Sequence, residues 1–326
     1  MISGPETTFP SGTPAFAVNI PLPDLSPYIL GNTGVAGFTC LESGKSGPHI
    51  ALVSLIHGNE YAGATVLAEL LASGFRPLRG KVTIGFANLA AFAHFNPCNP
   101  AASRYLDEDM NRVWDDFTLF GMRHSIELDR AREIKPIIDS ADILLDLHSM
   151  LWPSDPLILC NASTHGIPLA LELGTPELVV ADAGHMSGKR LIDYGHFTEQ
   201  KQNKAVSMIL EAGLHWQPET VLQCRRTINQ LLYQVSALST QNQPAISRYA
   251  EVVKTVTACT NRFRFVRDFH GGEIISKAGT LIAYDGDQKI YTPDDNLIMI
   301  MPSLKVGYGH TAVRLAKFTP KIPAQT

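Results

Sequence analysis

The chain has 326 residues, 45% of them hydrophobic and 18% charged, with a formal net charge of -4. That composition excludes a disordered chain, and its mild acidic excess gives no reason to expect nucleic acid or an anionic membrane as partner. No apolar run approaches the roughly 20 residues that span a bilayer, the N-terminus MISGPETTFPSGTPAF does not read as a signal peptide, and the scattered cysteines Cys40, Cys98, Cys160, Cys224 and Cys259, with no CxxC pair, read as reduced thiols of a cytoplasmic protein.

HIALVSLI (49–56) is a short apolar run of the kind that forms a buried strand. The loop HGNE (57–60) follows it, and the apolar spacing of YAGATVLAELLASG (61–74), closing on Gly74, predicts a helix. GKVTIGFAN (80–88) reads as a second strand and RYLDEDMNRVW (104–114) as a charged loop. SIELDRAREIKPIIDSA (125–141) reads as a helix interrupted near Pro136. DILLDLHS (142–149), ELVVADAG (177–184) and VSMILEAG (206–213) read as three further strands. Strands alternating with helices predict an α/β fold, a sheet with helices on both faces; the polar residues then fall at strand ends, where such sheets build their sites. From about residue 225 the pattern changes. Short apolar stretches split by GG, DG and PDD turns predict an antiparallel β region. The boundary is expected near 224–245, through QLLYQVSALSTQNQPAIS, whose start has a helical pattern, dividing the chain into 1–230 and 231–326.

A catalytic zinc site takes three His or carboxylate ligands and keeps a further position for water. His57 and Glu60 stand three apart at a strand exit, with Gly58 letting the backbone bend between them. Alone, such a pair is more often two solvated loop residues. His148, closing the strongest strand candidate, supplies a third donor, and Asp146, two residues earlier on the same side, can take the second ring N–H of a ligand histidine. The loop 104–114 holds Arg104, Asp107, Glu108, Asp109, Asn111 and Arg112. Its arginines and asparagine either grip a substrate carboxylate or pair with the neighbouring acids. Glu211, at the end of a buried strand, is costly there without a partner or a function. It is either a general base or a solvent-facing strand end, and His215 is a weaker candidate for an auxiliary polar contact.

HGNE, RYLDEDMNR, DLHS and LEAG occur in the order and approximate spacing of the succinylglutamate desuccinylase/aspartoacylase family, a branch of the zinc-carboxypeptidase-like superfamily. The resemblance covers most of 49–216 and, more loosely, the β-rich C-terminal part. It implies a mixed sheet flanked by helices, with a smaller β-rich C-terminal domain capping the site. It also implies one Zn2+ per chain held by His57, Glu60 and His148, with Glu211 as general base. Arg104 would polarise the scissile carbonyl, and Asn111 and Arg112 would bind the substrate carboxylate. The implied substrate is a small N-acyl amino acid or related amide; a homo-oligomer is left open.

The chain also departs from the family. Aspartoacylases carry a further substrate-binding Arg shortly before the catalytic Glu, where this chain reads TEQKQNKAVSMIL with Lys201, and Arg190 lies farther upstream. After the third ligand they read Asn-Thr-Thr, whereas this chain reads SMLWPSDPLILC. The pocket wall therefore differs, and acetylaspartate is not the expected substrate. Tyr284, Tyr291 and Tyr308 are all available as the C-terminal Tyr that lines the pocket in some members. Two other readings remain: a zinc carboxypeptidase acting on peptides through an open cleft, and a non-catalytic ligand-binding member of the fold. Loss of a ligand or of the base would mark the second, and all four positions are filled.

Overall fold

The computed structural model describes residues 16–162, 165–184, 187–198, 205–235, 238 and 247–319. Its strands are β1 (Phe38–Glu42), β2 (His49–Ser54), β3 (Lys81–Phe86), β4 (Ile143–Met150), β5 (Leu157–Asn161), β6 (Leu178–Asp182), β7 (Val206–Leu214), β8 (Arg248–Thr257), β9 (Phe263–Phe265), β10 (Ile274–Ile275), β11 (Leu281–Asp285), β12 (Gln288–Tyr291), β13 (Leu297–Ile300) and β14 (Thr311–Phe318). Eleven of them form one sheet in the order β1-β3-β2-β4-β7-β5-β6-β8-β14-β13-β10, and the other three form a small sheet, β12-β11-β9.

The centre of the large sheet is parallel: β2 pairs with β3 and β4, and β4 with β7. Helices cover both faces, so these strands read as continuous apolar runs rather than alternating ones. The alternation survives in which core each residue enters. Ile50 and Leu52 pack with Leu67 of the helix Ala62–Ala72 and with Ile228 and Leu231 of the helix Pro218–Gln234. Ala51 and Val53 pack instead with Leu128, Ala131 and Ile134 of the helix Ile126–Asp139. β5 runs antiparallel to β7 and parallel to β6, which makes the sheet mixed. The expected α/β mixed-sheet fold is present. Among the described residues, no helix is long and apolar enough to cross a membrane.

Several elements differ from the sequence reading. The helix Ile126–Asp139 runs unbroken through Pro136. Pro136 lies in its last turn, where little helix remains for a missing N–H and a bulky ring to disturb. β1 and β5 are additional strands, and the helix Gly166–Leu173 is additional too. Residues 218–234 are helical, so the antiparallel pattern begins at β8 and not near 225. The C-terminal strands pair antiparallel with one another, as expected; β9, β11 and β12 form the small sheet, while β8, β14, β13 and β10 extend the large one, where β8 pairs parallel with β6. Leu157, Val180, Ile300 and Ala316 share one core across that junction. Within the expected boundary segment, residues 236, 237 and 239–246 lie outside the described residues.

Gly63 sets how closely the helix Ala62–Ala72 approaches β4, since a Cβ there would lie 2.6 Å from Leu147 Cβ. Gly63→Val is expected to lower stability by roughly 2–3 kcal/mol through overpacking. Urea unfolding measures it; an unchanged midpoint would show that the contact is not tight.

Candidate active site

The chain turns sharply on leaving β2, with Leu55 at a φ of 60. The HGNE turn is then gripped on three sides. Gly58 N–H donates to the Arg104 carbonyl at 3.0 Å, and the Trp216 indole N–H donates to the Asn59 carbonyl at 2.9 Å. A Cβ on Gly58 would lie 2.5 Å from the backbone of Ala91 and Phe92, so only glycine fits. This grip buries His57 and Glu60, each 3% exposed, against His148 of β4. One ligand atom from each of the three residues lies within 4.8 Å of the others.

Both imidazoles present Nδ1 to Glu60: His57 at 2.8 Å from Oε1 and His148 at 3.1 Å from Oε2. Their far nitrogens face carboxylates. His57 Nε2 meets Asp109 Oδ1 at 2.9 Å, and His148 Nε2 meets Asp146 Oδ2 at 2.8 Å. Two imidazole nitrogens and a carboxylate oxygen, with each ring oriented from behind by an acid, make a donor set that suits a divalent cation such as zinc. The spacing of DLHS anticipates Asp146. Asp109 was visible only as one acid among several in a charged loop.

Burial works to raise the pKa of Glu60, but His57 and His148 outweigh it and hold the carboxyl well below its ordinary value. Ser149 N–H donates to Glu60 Oε2 at 2.9 Å, and the Ser149 hydroxyl bonds His215 Nδ1 at 2.7 Å. Burial pushes His215 down to about 4, so its ring is neutral at physiological pH. Arg104 spans the two acids, donating to Glu60 Oε1 at 2.9 Å and Asp109 Oδ2 at 3.2 Å. Its side chain stays 37% exposed, open to a ligand as well.

Glu211, on β7, is in register with His148 on β4. It is buried, and its Oε2 has no hydrogen-bond partner. Burial pushes its carboxyl up to about 8, with His148 pulling it down and Glu60 pushing it further up. An orphaned buried oxygen is rare enough to call for an explanation.

Asn111 and Arg112 follow in the same loop, with Arg112 close enough to Asp109 to lower its pKa. The Asn111 side-chain carbonyl accepts the Leu191 N–H at 2.8 Å, and Arg112 Nη1 donates to the Asn111 carbonyl at 2.6 Å. Burial lowers Arg112 to about 10, against the pull of Asp109, and Arg104, Arg314 and Arg190 lie near enough to lower it further. Arg190 is committed elsewhere, to Asp193 at 2.7 Å and Asp182 at 2.9 Å. Arg314 of β14 also reaches Asp182, at 2.9 Å. No local pattern in TAVRLAKF marks Arg314 as a neighbour of Arg112; the sheet order puts it there. Of the three tyrosines, Tyr284 faces Arg264, Tyr291 is 43% exposed and Tyr308 is 70% exposed. Lys201 lies outside the described residues.

Fold and site together define a mixed-sheet α/β protein with a buried His–Glu–His group at the strand ends. Residues 46–232 match the family model of the succinylglutamate desuccinylase/aspartoacylase catalytic domain. The chain belongs to that family, whose membership implies a hydrolase acting on acyl-amino acids. Solved structures share the fold. The succinylglutamate desuccinylase of Vibrio cholerae superposes with a TM-score of 0.67 at 17% identity, covering 87% of this chain and 86% of that one. A succinylglutamate desuccinylase/aspartoacylase of Rhodobacter sphaeroides gives 0.64 at 19%, covering 87% and 89%. The product-bound ectoine utilization protein EutE (DoeB) of Ruegeria pomeroyi gives 0.64 at 15%, covering 88% and 92%. No curated protein matches the sequence significantly.

Asp182 is the acid shared by Arg190 and Arg314, all three buried. Asp182→Ala leaves buried guanidinium charge poorly compensated, so a loss of roughly 3–5 kcal/mol is expected in denaturant unfolding. A loss below about 1 kcal/mol, the value of an exposed pair, would show that water reaches the pair.

Proposed function

We propose that the protein is a zinc-dependent deacylase that hydrolyses the amide bond of a small N-acyl amino acid or related carboxylate-bearing amide, with one zinc per chain. The observation that carries this reading is the convergence of His57, Glu60 and His148 beside a buried carboxyl, Glu211, that has a free oxygen. His57, Glu60 and His148 would hold the zinc. When bound, it acidifies its water toward a pKa of about 7 and polarises the substrate carbonyl.

The chain's own residues do the rest. Glu211 takes a proton from the attacking water and returns it to the leaving nitrogen, so water adds across the amide and releases a carboxylic acid and an amine. A carboxyl near 8 is mostly protonated at neutral pH; a divalent cation beside Glu60 adds positive charge that favours the ionised, base form. Arg104, anchored by Glu60 and Asp109 yet partly exposed, meets the charge that develops on the carbonyl oxygen. Arg112 and Asn111 hold the substrate carboxylate and so align the amide over the reacting groups. A panel of N-acyl amino acids run beside short peptides tests the substrate class; turnover confined to peptides would overturn the deacylase reading.

Two further outcomes are expected. Glu211→Gln should retain stoichiometric zinc while kcat/KM falls by about 10²–10⁴; retained turnover would remove Glu211 as the base. Zinc affinity should also fall with pH. Burial opposes the charged form of His148, but Asp146 and Glu60 win and raise its pKa well above the ordinary value. The metal-free imidazole therefore keeps its proton to higher pH than an ordinary histidine and must lose it to become a ligand. Calorimetry in buffers of different ionisation heat should show proton release on zinc binding, and affinity should weaken as the pH drops. Affinity independent of pH would contradict ligation by His148.

A further inference from the structure

We propose that Glu127, which touches none of the three candidate ligands, is the positioning residue that fixes the Arg104–Arg112 loop in its working geometry. Glu127 lies in the first turn of the helix Ile126–Asp139 and is fully buried. Its carboxylate is met by four donors. Oε1 accepts from the Leu106 N–H at 2.7 Å and from Asn88 Nδ2 at 3.0 Å. Oε2 accepts from the Asp107 N–H at 3.0 Å and the Glu108 N–H at 3.2 Å. Three consecutive backbone amides of one loop thus converge on a single carboxylate. A buried acid needs such partners, and bonds to a charged acceptor are the stronger kind.

The helix does not need this acid as a cap. Ser125 Oγ accepts the Leu128 N–H at 2.9 Å, and Asp107 Oδ2 accepts the Ile126 N–H at 2.8 Å. The loop therefore caps the helix while the helix's own glutamate holds the loop. Asn88 extends the connection, since its backbone N–H donates to the Leu55 carbonyl at 2.7 Å, in the turn that leads to His57. The pinned residues 106–108 sit between Arg104 and Asp109, the two groups that reach Glu60 and His57. Loosening the segment displaces both at once.

The kinetic part of this proposal rests on the deacylase reading; the structural part does not. Glu127→Gln keeps the size but turns an NH2 group toward some of the four donors. In zinc-loaded protein, hydrogen exchange at the Leu106, Asp107 and Glu108 amides should quicken by about tenfold or more, with β2 and β4 unchanged and zinc stoichiometry retained. kcat/KM on the best N-acyl amino acid should fall by about tenfold to a hundredfold. In an Arg104→Ala background the same change should cost less than about threefold, because residues acting as a unit are not additive. Should the glutamine variant fail to fold, Glu127→Asp, which keeps the charge on a shorter arm, takes its place in the same cycle with the same expected pattern. A variant that lowers only Tm, or whose full kinetic effect persists without Arg104, would reduce Glu127 to a structural role and overturn the proposal, as would unchanged exchange at the three amides. A wild-type enzyme inactive on the whole panel would overturn the deacylase reading instead, since the exchange measurement judges the loop without substrate.

Discussion

Glu60 carries a negative charge where water hardly reaches, and much of the surrounding structure follows from that constraint. An ionised carboxylate is tolerated in such a place only with close partners. Glu60 has four: two imidazoles, the Arg104 guanidinium and the Ser149 amide. They come from three stretches of chain, the turn after β2, the end of β4 and the 104–112 loop, so the geometry exists only once all three are in place. The partners have needs of their own. His57 and Arg104 share Asp109, His148 leans on Asp146, and Ser149 engages His215. The cluster is therefore a layered hydrogen-bonded network, and a metal ion entering it would meet donors already in place.

Against that background Glu211 stands out. The other acids of the cluster are met by cations or donors, and Asp109 is held well below its ordinary pKa because His57 and Arg104 outweigh the effect of burial. Glu211 is pushed the opposite way, and it keeps one oxygen unpartnered, as Asp146 does behind His148. Two carboxyls in one site with pKa values driven apart are the mark of divided roles. In the proposed reaction that division has Glu60 stay charged as a ligand and Glu211 exchange the proton.

What was legible in the sequence was what short-range periodicity and strand-end placement encode. The runs HIALVSLI and DILLDLHS are apolar because their strands are covered on both faces, and their first polar residues mark where each strand leaves the core; His57, Glu60 and His148 followed from that. β5 was harder to see. LILCN is only five residues, and it lies antiparallel to β7 in an otherwise parallel neighbourhood. Asp109 and Glu127 were hidden for another reason. A charged loop and the acidic first turn of a helix look solvated in sequence, and only tertiary packing shows that Asp109 backs a histidine and that Glu127 is buried under loop amides. Arg314 lies about 100 residues beyond the last family motif and arrives through sheet order alone.

The motifs that define the family supply the charged centre, yet the wall beyond His148 departs from the family in SMLWPSDPLILC. That segment is tied to the C-terminal part of the chain: Asp155 N–H donates to the Gly271 carbonyl at 2.8 Å, and Gly271 N–H donates to the Pro153 carbonyl at 3.0 Å. On the other side, Arg314 joins β14 to Asp182 at the end of β6. Both segments are thus held by contacts between the α/β part and the C-terminal strands. In the proposed function, substrate choice would then rest on this junction, while the chemistry would rest on the cluster of His57, Glu60, His148 and Glu211.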